Sequence, residues 1–136
     1  MNIHDISAGD WLDCGGTTGR VVKIDLKKNE VELDQPTATK NADFLDAIPL
    51  TRDNIEQFGF ELKYIHQSVT DPENIQAYIY GLPDTRVRVI FYKDVTELSV
   101  ANCQTHFTKY DGIIYVHQVQ HAMRLCDIKK EIEYVD

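Results

Sequence analysis

The segment GRVVKIDLKKNEVELD, residues 19–34, is typical of two strands joined by a short turn. Apolar and polar residues alternate in both arms, which is the period of an extended strand with one buried face. Lys28 and Asn29 lie between the arms, where a turn is expected. The segment therefore predicts an antiparallel hairpin that buries one face. The residues predicted to share that face are Val22, Ile24, Leu26, Val31 and Leu33.

Residues 1–49 as a whole have the short strands and frequent turns of a small β-barrel lobe. The GDW segment at residues 9–11 begins a strand, and a glycine-bearing turn leads from it into GRVVKID and VEL. This order of segments resembles the KOW-like small barrels, five-stranded modules that bind RNA, proteins or peptides. The resemblance covers residues 8–48 and implies a binding module. The acidic balance of this chain departs from the RNA-binding members.

Residues 50–136 predict an antiparallel lobe, because runs of aromatic and β-branched residues alternate with turns too short for parallel crossovers. A short helix is expected between an N-cap at Thr51 and a left-handed end at Gly59. Strands are expected at residues 60–66, 75–80, 86–92 and 97–101, a second helix at 115–126, and an edge strand at EIEYV, residues 131–135. The predicted fold class is α+β: a KOW-like barrel packed with an antiparallel sheet and two helices, in one compact unit.

The charge of the chain limits its partners. Among 136 residues, 14 are basic and 22 acidic, a formal charge of −8. Nucleic-acid binding depends on clustered Lys and Arg that neutralise phosphates, so this balance disfavours nucleic acid and an anionic membrane surface alike. The N-terminal residues lack a signal-peptide pattern, and three cysteines without a CxxC pair suit reduced thiols. We expect a cytoplasmic protein.

The segment YVHQVQHAMRLC, residues 115–126, has the period of an amphipathic helix. Its predicted apolar stripe consists of Tyr115, Val116, Val119, Ala122, Met123 and Cys126. The opposite face carries His117, Gln118, Gln120, His121 and Arg124. Such a face is commonly a solvated surface, but His, Gln and Arg in place of Lys and Glu also suit hydrogen-bonded recognition. We predict that these five residues contact a protein partner.

The two helical histidines also support an alternative function, which is zinc binding. Cys103 and His106 precede His117 and His121 with a spacing close to that of a zinc finger in which one cysteine is replaced. The site would be structural or hydrolytic, although Gln118 stands where HExxH enzymes place their glutamate base. Apart from this alternative we predict no cofactor and no catalytic residue, because the serines fall in no nucleophile motif.

A second candidate surface lies on the predicted sheet. Tyr78 and Tyr80 are two residues apart and share a face of one strand, and Arg86 and Arg88 do the same on a later strand. Tyr and Arg side chains are enriched at protein interfaces, so these four residues form a secondary predicted patch. The alternative is that they are cross-strand pairs that only stabilise the sheet.

Three segments of the chain resemble one group of proteins. IPLT at residues 48–51, FGF at 58–60 and YVHQVQ at 115–120 are similar to segments of short uncharacterised proteins from Bacteroides-type gut bacteria, their prophages and their phages. In that group a β-rich middle precedes a YVHQLQ-like segment. The resemblance implies a source and an architecture but no reaction. We expect a non-catalytic binding or accessory protein of phage or mobile-element origin, in a bacterial or phage-infected cell, and its charge also suits an acidic decoy of a nucleic-acid-binding host protein.

Overall fold

The structure is a computed structural model that describes residues 1–34, 37–102, 105–109 and 112–135, with residues 101, 102 and 105–109 described by their backbone alone. The chain divides into two compact units. The first contains Met1–Pro49 and Tyr115–His117, and the second contains Leu50–Ile114 and Gln118–Asp136.

The first unit is built on one antiparallel sheet. Its strands are β1 (Trp11–Asp13), β2 (Thr18–Asp25), β3 (Glu30–Asp34), β4 (Ala38–Asn41) and β5 (Asp46–Ala47), in the order β4-β3-β2-β1-β5. The described residues of this unit also form the 3-10 helices Ile3–Asp5 and Ala42–Phe44. Within the described residues no pairing joins β4 to β5, so the prediction of a closed barrel is wrong. The physical reason is the length of β5, which has two residues and pairs with β1.

The predicted hairpin is present as β2 and β3, but its buried face differs from the prediction. A register shift between Val21 and Lys23 places an extra residue in β2. Val21 is buried as a result, whereas Val22 is 45% exposed. The turn is as predicted, with Asn29 in the left-handed region at a φ of 54°. The core residues of this unit are Ile3, Ile6, Leu12, Val21, Val31, Leu33, Ala42 and Leu45.

The second unit confirms the antiparallel meander. Its strands are β6 (Glu61–Gln67), β7 (Ile75–Gly81), β8 (Val87–Tyr92), β9 (Thr96–Asn102) and β10 (Thr105–Lys109), in the order β10-β9-β8-β7-β6. Every pairing is antiparallel between neighbours in the sequence, as short connections require. The four predicted strands match β6 to β9, and β10 was not predicted.

The helix predicted after Thr51 is a 3-10 helix, Ile55–Phe58, and not an α-helix. The Asn54 side chain accepts a hydrogen bond of 2.8 Å from the backbone N–H of Thr51, which holds the preceding residues in a turn. The remaining segment is too short to nucleate an α-helix. The predicted end is correct, because Gly59 has a left-handed backbone with a φ of 87°.

The α-helix that the described residues contain is α1, Val116–Leu125, close to the predicted range. The predicted edge strand at EIEYV is wrong, since residues 128–135 form no strand. Side-chain packing and a backbone hydrogen bond hold this segment instead: Ile132 is buried, the Tyr134 ring centre lies 5.2 Å from that of Phe58, and the backbone N–H of Val135 donates to the carbonyl oxygen of Gln57 at 2.6 Å. Among the described residues, no helix has both the length and the apolar character needed to cross a membrane.

Candidate functional site

Helix α1 buries the predicted apolar stripe. Val116, Val119, Ala122, Met123 and Cys126 are each less than a tenth exposed, and Tyr115 is half-buried. The backbone N–H of Val116 donates a 2.9 Å hydrogen bond to the carbonyl oxygen of Ile48, which fixes the start of the helix within the first unit. The stripe explains why this segment folds as a helix in its context, because tertiary packing supplies most of a short helix's stability.

The opposite face of α1 is not the open surface that the helical wheel predicts. His117 is 8% exposed and Gln120 is 2% exposed, so both side chains are buried. The His117 ring also lies beside the ring of Tyr115, with 6.0 Å between their centres. A wheel gives directions about one helix axis and contains no information about which neighbours cover it. Solvent exposure of these two residues is therefore a wrong expectation, and a partner contact through them stays a prediction.

The rest of the predicted contact face forms a narrow stripe along the helix. Gln118, His121 and Arg124 are half-buried, and Leu125 beside them is 83% exposed. Spacings of three and four residues place these side chains along one line of the surface. The stripe is small compared with a protein interface, which commonly uses 20 or more residues on each side.

The four predicted zinc ligands are not brought together by the described residues. Cys103 lies outside them, and His106 lies in β10, where only the backbone is described. Across residues 1–34, 37–102, 105–109 and 112–135, no group of three or more His, Cys, Asp or Glu side chains could hold a metal ion. Zinc binding by Cys103, His106, His117 and His121 stays a prediction.

The secondary patch is divided between the two faces of the second sheet. Tyr80 lies opposite Val89 and Tyr78 opposite Phe91, so both tyrosines share the face that carries buried side chains. Arg88 lies opposite Gly81 on the other face, and Arg86 precedes β8. The four residues therefore do not form one contact surface.

Tyr78 and Tyr80 instead contact Arg52, for which no sequence pattern indicated a role. The Cζ atom of Arg52 lies 3.3 Å from the centre of the Tyr78 ring, a stacked cation–π contact. Desolvation acts to lower the pKa of the Arg52 guanidinium, but hydrogen bonds and charge interactions with Tyr80 and Tyr78 outweigh it and raise the pKa above the ordinary value. The contact fixes the turn before the 3-10 helix against β7.

The face of the second sheet opposite Tyr78 and Tyr80, which we call the outer face, carries a row of large apolar residues. Tyr64 on β6, Ile79 on β7 and Ile90 on β8 lie opposite one another in successive strand pairs. Tyr64 is 57% exposed, and the two isoleucines are half-buried. Soluble sheets normally present polar residues on such a face, so an apolar row there requires an explanation.

A second row lies next to the first on the outer face. Tyr92 on β8 and His66 on β6 both pair with Ala77 on the strand between them. Tyr92 is 44% exposed, and the His66 ring centre lies 6.3 Å from that of Tyr64. Ala77 between them is 4% exposed, and the side chains of Tyr92 and His66 are both exposed. Together the two rows define the outer face as Tyr64, His66, Ala77, Ile79, Ile90 and Tyr92.

Sequence reasoning missed this face although β8 contains its signal. Val87, Val89 and Phe91 occupy one face of the strand, and residues 88, 90 and 92 occupy the other. Polar residues are expected at all three of the latter positions in a sheet with one solvated face, but Ile90 and Tyr92 are large and apolar. When the odd- and even-numbered positions of a strand are both apolar, the pattern is typical of a strand in which both faces are covered by other groups.

Comparison of the chain with models of protein families, with curated proteins and with solved structures gave no match.

Proposed function

We propose that this chain is a non-catalytic binding protein that contacts a partner protein through the outer face of its second sheet. The observation that carries the proposal is the pair of rows on β6, β7 and β8, in which two exposed tyrosines flank two half-buried isoleucines. Buried anchors at protein interfaces are commonly aromatic, because a tyrosine ring contributes a large contact area with few rotatable bonds.

The surroundings of the outer face also suit a protein partner. Arg88 and Ser99 lie opposite each other beside the apolar rows, and Glu97 lies opposite Ile90 at their far end. A polar margin of mixed charge around an apolar centre is the usual composition of a protein interface. Nucleic acid would require clustered cations to neutralise its phosphates, and the chain carries eight more acidic than basic residues.

Other parts of the prediction remain within this proposal. The half-buried residues Gln118, His121 and Arg124 of α1 are a second contact for the same partner or for another. The first unit, with its five short antiparallel strands, serves as a KOW-like module in the same binding protein. An accessory role for a phage or mobile element in a bacterial cell follows from the resemblance of the three segments, and the genes that neighbour this one test that origin.

Quantitative capture of partner proteins from the cells of origin tests the proposal. The wild-type chain, Tyr64→Ser, Tyr92→Ser and a control variant, Phe44→Ser, are each immobilised and cross-linked, and the captured proteins are compared by mass spectrometry. Phe44 is a suitable control because it is an aromatic residue of the first unit that is 75% exposed. We expect a protein that the wild type and the control capture equally and that both tyrosine variants lose.

Comparison of the captured proteins among the four chains distinguishes nonspecific hydrophobic binding from a specific interface. Loss of the same protein in all three variants would indicate nonspecific aromatic contacts, and equal capture by all four chains would contradict a role for the outer face. Each captured candidate is then titrated against the purified chain. Removal of one interface tyrosine is expected to weaken binding by about tenfold or more.

A further inference from the structure

Strand β6 is an exposed edge of the second sheet. It pairs with β7, and within the described residues no other strand pairs with it. All seven of its residues are exposed, which includes Leu62 at 39% and Ile65 at 37%. An edge of this kind presents unpaired backbone N–H and C=O groups to any strand that can approach it.

The register with β7 assigns each β6 side chain to a face. Leu62 lies opposite Tyr80, and Ile65 lies opposite Tyr78. Leu62 and Ile65 therefore belong to the same face of the sheet as these two tyrosines. On the other side, Glu61 lies opposite Gly81, and His66 opposite Ala77, so both belong to the outer face. Two apolar residues of one face and two polar residues of the other are therefore arranged symmetrically about the peptide bond between Lys63 and Tyr64.

A register shift between Leu62 and Tyr64 marks a bulge at Lys63. The Lys63 ammonium group lies 2.9 Å from the Glu61 carboxylate, which places this side chain on the outer face as well. Lys63 and Tyr64 are thus consecutive residues on the same face. A strand that pairs with β6 along its whole length, with side chains of the same face opposite each other, needs a bulge of its own next to Lys63.

From this arrangement we propose that the occupant of the β6 edge is a second copy of this chain, which pairs β6 with β6 in antiparallel orientation. The proposed register places Glu61 opposite His66, Leu62 opposite Ile65, and Lys63 opposite Tyr64 of the other copy. Each of these pairs joins side chains of the same face, and the two bulges lie side by side at the centre. A shift of one residue in either direction would place Leu62 opposite Tyr64 or His66, which lie on the other face.

Charge also selects this register. The twofold axis produces two Glu61–His66 pairs, in each of which an imidazole N–H faces a carboxylate that accepts hydrogen bonds. No pair in the register joins two acidic or two basic groups. A lysine and a bulge on an edge strand normally protect it against nonspecific pairing. On β6 they leave one favourable pairing, in which the bulges of the two copies lie side by side.

The proposed pairing joins two five-stranded sheets into one continuous sheet. Rows that begin at Tyr64 and His66 would continue across the twofold axis into the second copy, so the outer faces of the two copies would adjoin. One pair of edge strands buries less surface than a standard protein interface, and the expected dimer is therefore weak and dependent on concentration. The proposal does not require the binding function, because Tyr92 lies away from the β6 edge.

Sedimentation equilibrium over a wide concentration range, at neutral pH, tests the pairing. The wild type is expected to show a reversible equilibrium between monomer and dimer. His66→Glu places two carboxylates opposite each other at both ends of the pairing and is expected to raise the dimer dissociation constant about tenfold. His4→Glu makes the same change at an exposed residue of the first unit and is expected to leave the constant unchanged.

An experiment that mixes two variants tests the register itself and controls for misfolding of a single variant. Glu61→Lys is expected to form a weak homodimer, because lysine then faces His66 without a carboxylate. A mixture of Glu61→Lys and His66→Glu chains restores opposite charges at one end and the native pair at the other, so the mixture should dimerise more tightly than either variant alone. A monomeric wild type, an unchanged constant for His66→Glu, or a mixture no tighter than its components would overturn the proposal. Retention of the dimer by Tyr92→Ser, whatever its effect on partner capture, separates this result from the test of the binding function.

Discussion

The guanidinium of Arg88 lies directly over Gly81 on the outer face of the second sheet. A Cβ atom at position 81 would lie 2.8 Å from Arg88 Nη1 and 3.1 Å from its Cζ, closer than normal van der Waals contact. Arg88 Nη1 also donates hydrogen bonds to the carbonyl oxygens of Thr85, at 3.2 Å, and Val87, at 3.0 Å. The absence of a side chain at Gly81 thus allows the arginine to lie flat against the sheet.

A double-mutant cycle measures this relationship. Gly81→Ala is expected to destabilise the wild type by about 1 kcal/mol, because the guanidinium must move away from both carbonyl oxygens. In an Arg88→Ala background the same change should cost less, since of these close neighbours only the flexible Lys63 side chain remains, with its Cγ 3.2 Å from the new Cβ. Chemical denaturation of the four chains gives the coupling energy. A coupling energy of zero would show that the two residues do not interact.

The stacked contact between Arg52 and Tyr78 leads to a second prediction. Arg52→Ala is expected to lower the free energy of unfolding by about 1 kcal/mol, and Arg52→Lys by less, because lysine keeps the charge and loses the planar stack. Arg86→Ala, at an exposed position before β8, serves as the control. If the two alanine variants have equal stability, the contact does not stabilise the second unit.

The orientation of α1 is tested by two of its apolar residues. Met123 is 2% exposed and Leu125 is 83% exposed. Met123→Ala should destabilise the protein by about 3 kcal/mol through loss of core packing, whereas Leu125→Ala should change the stability by less than about 0.5 kcal/mol. Thermal and denaturant unfolding measure both effects. Similar values for the two variants would contradict the described packing of the helix.

A buried carboxylate supports the turn before β1. Asp10 is fully buried, its side chain accepts a 2.8 Å hydrogen bond from the backbone N–H of Ser7, and its carbonyl oxygen accepts one of 2.9 Å from Val21. Asp10→Ala removes the side-chain acceptor and should cost about 2 kcal/mol. The exposed Asp5 provides the matched control, Asp5→Ala, which should be nearly neutral. Equal losses of stability would show that the buried carboxylate has no special role.

Local patterns in the sequence predicted most of the second sheet and less of the rest. Turns such as DPEN and GLPD follow from local backbone preferences, which is why β6 to β9 were placed within one or two residues. The bulge after Val21 depends on pairing with β3, and no property of GRVVKID indicates it. For the same reason the wheel placed Val116 and Met123 correctly but assigned His117 to solvent.

The residues of the outer face could not be grouped into one surface from the sequence alone. Tyr64, Ile79, Ile90 and Tyr92 are spread over 29 residue positions, and only the strand register brings them together. Each residue alone is ordinary in a strand, where aromatic and β-branched side chains are common. Tyr78 and Tyr80 were selected because they are two residues apart and share a face of one strand, but that face is the one that carries the buried residues.

Binding through the outer face is tested by hydroxyl-radical footprinting of the chain in complex with its captured partner. The method reports the solvent accessibility of individual aromatic side chains by their oxidation. We expect the partner to protect Tyr64 and Tyr92 on the outer face and to leave the oxidation of Phe44 in the first unit unchanged. Unchanged oxidation of both tyrosines in a saturated complex would contradict binding through this face.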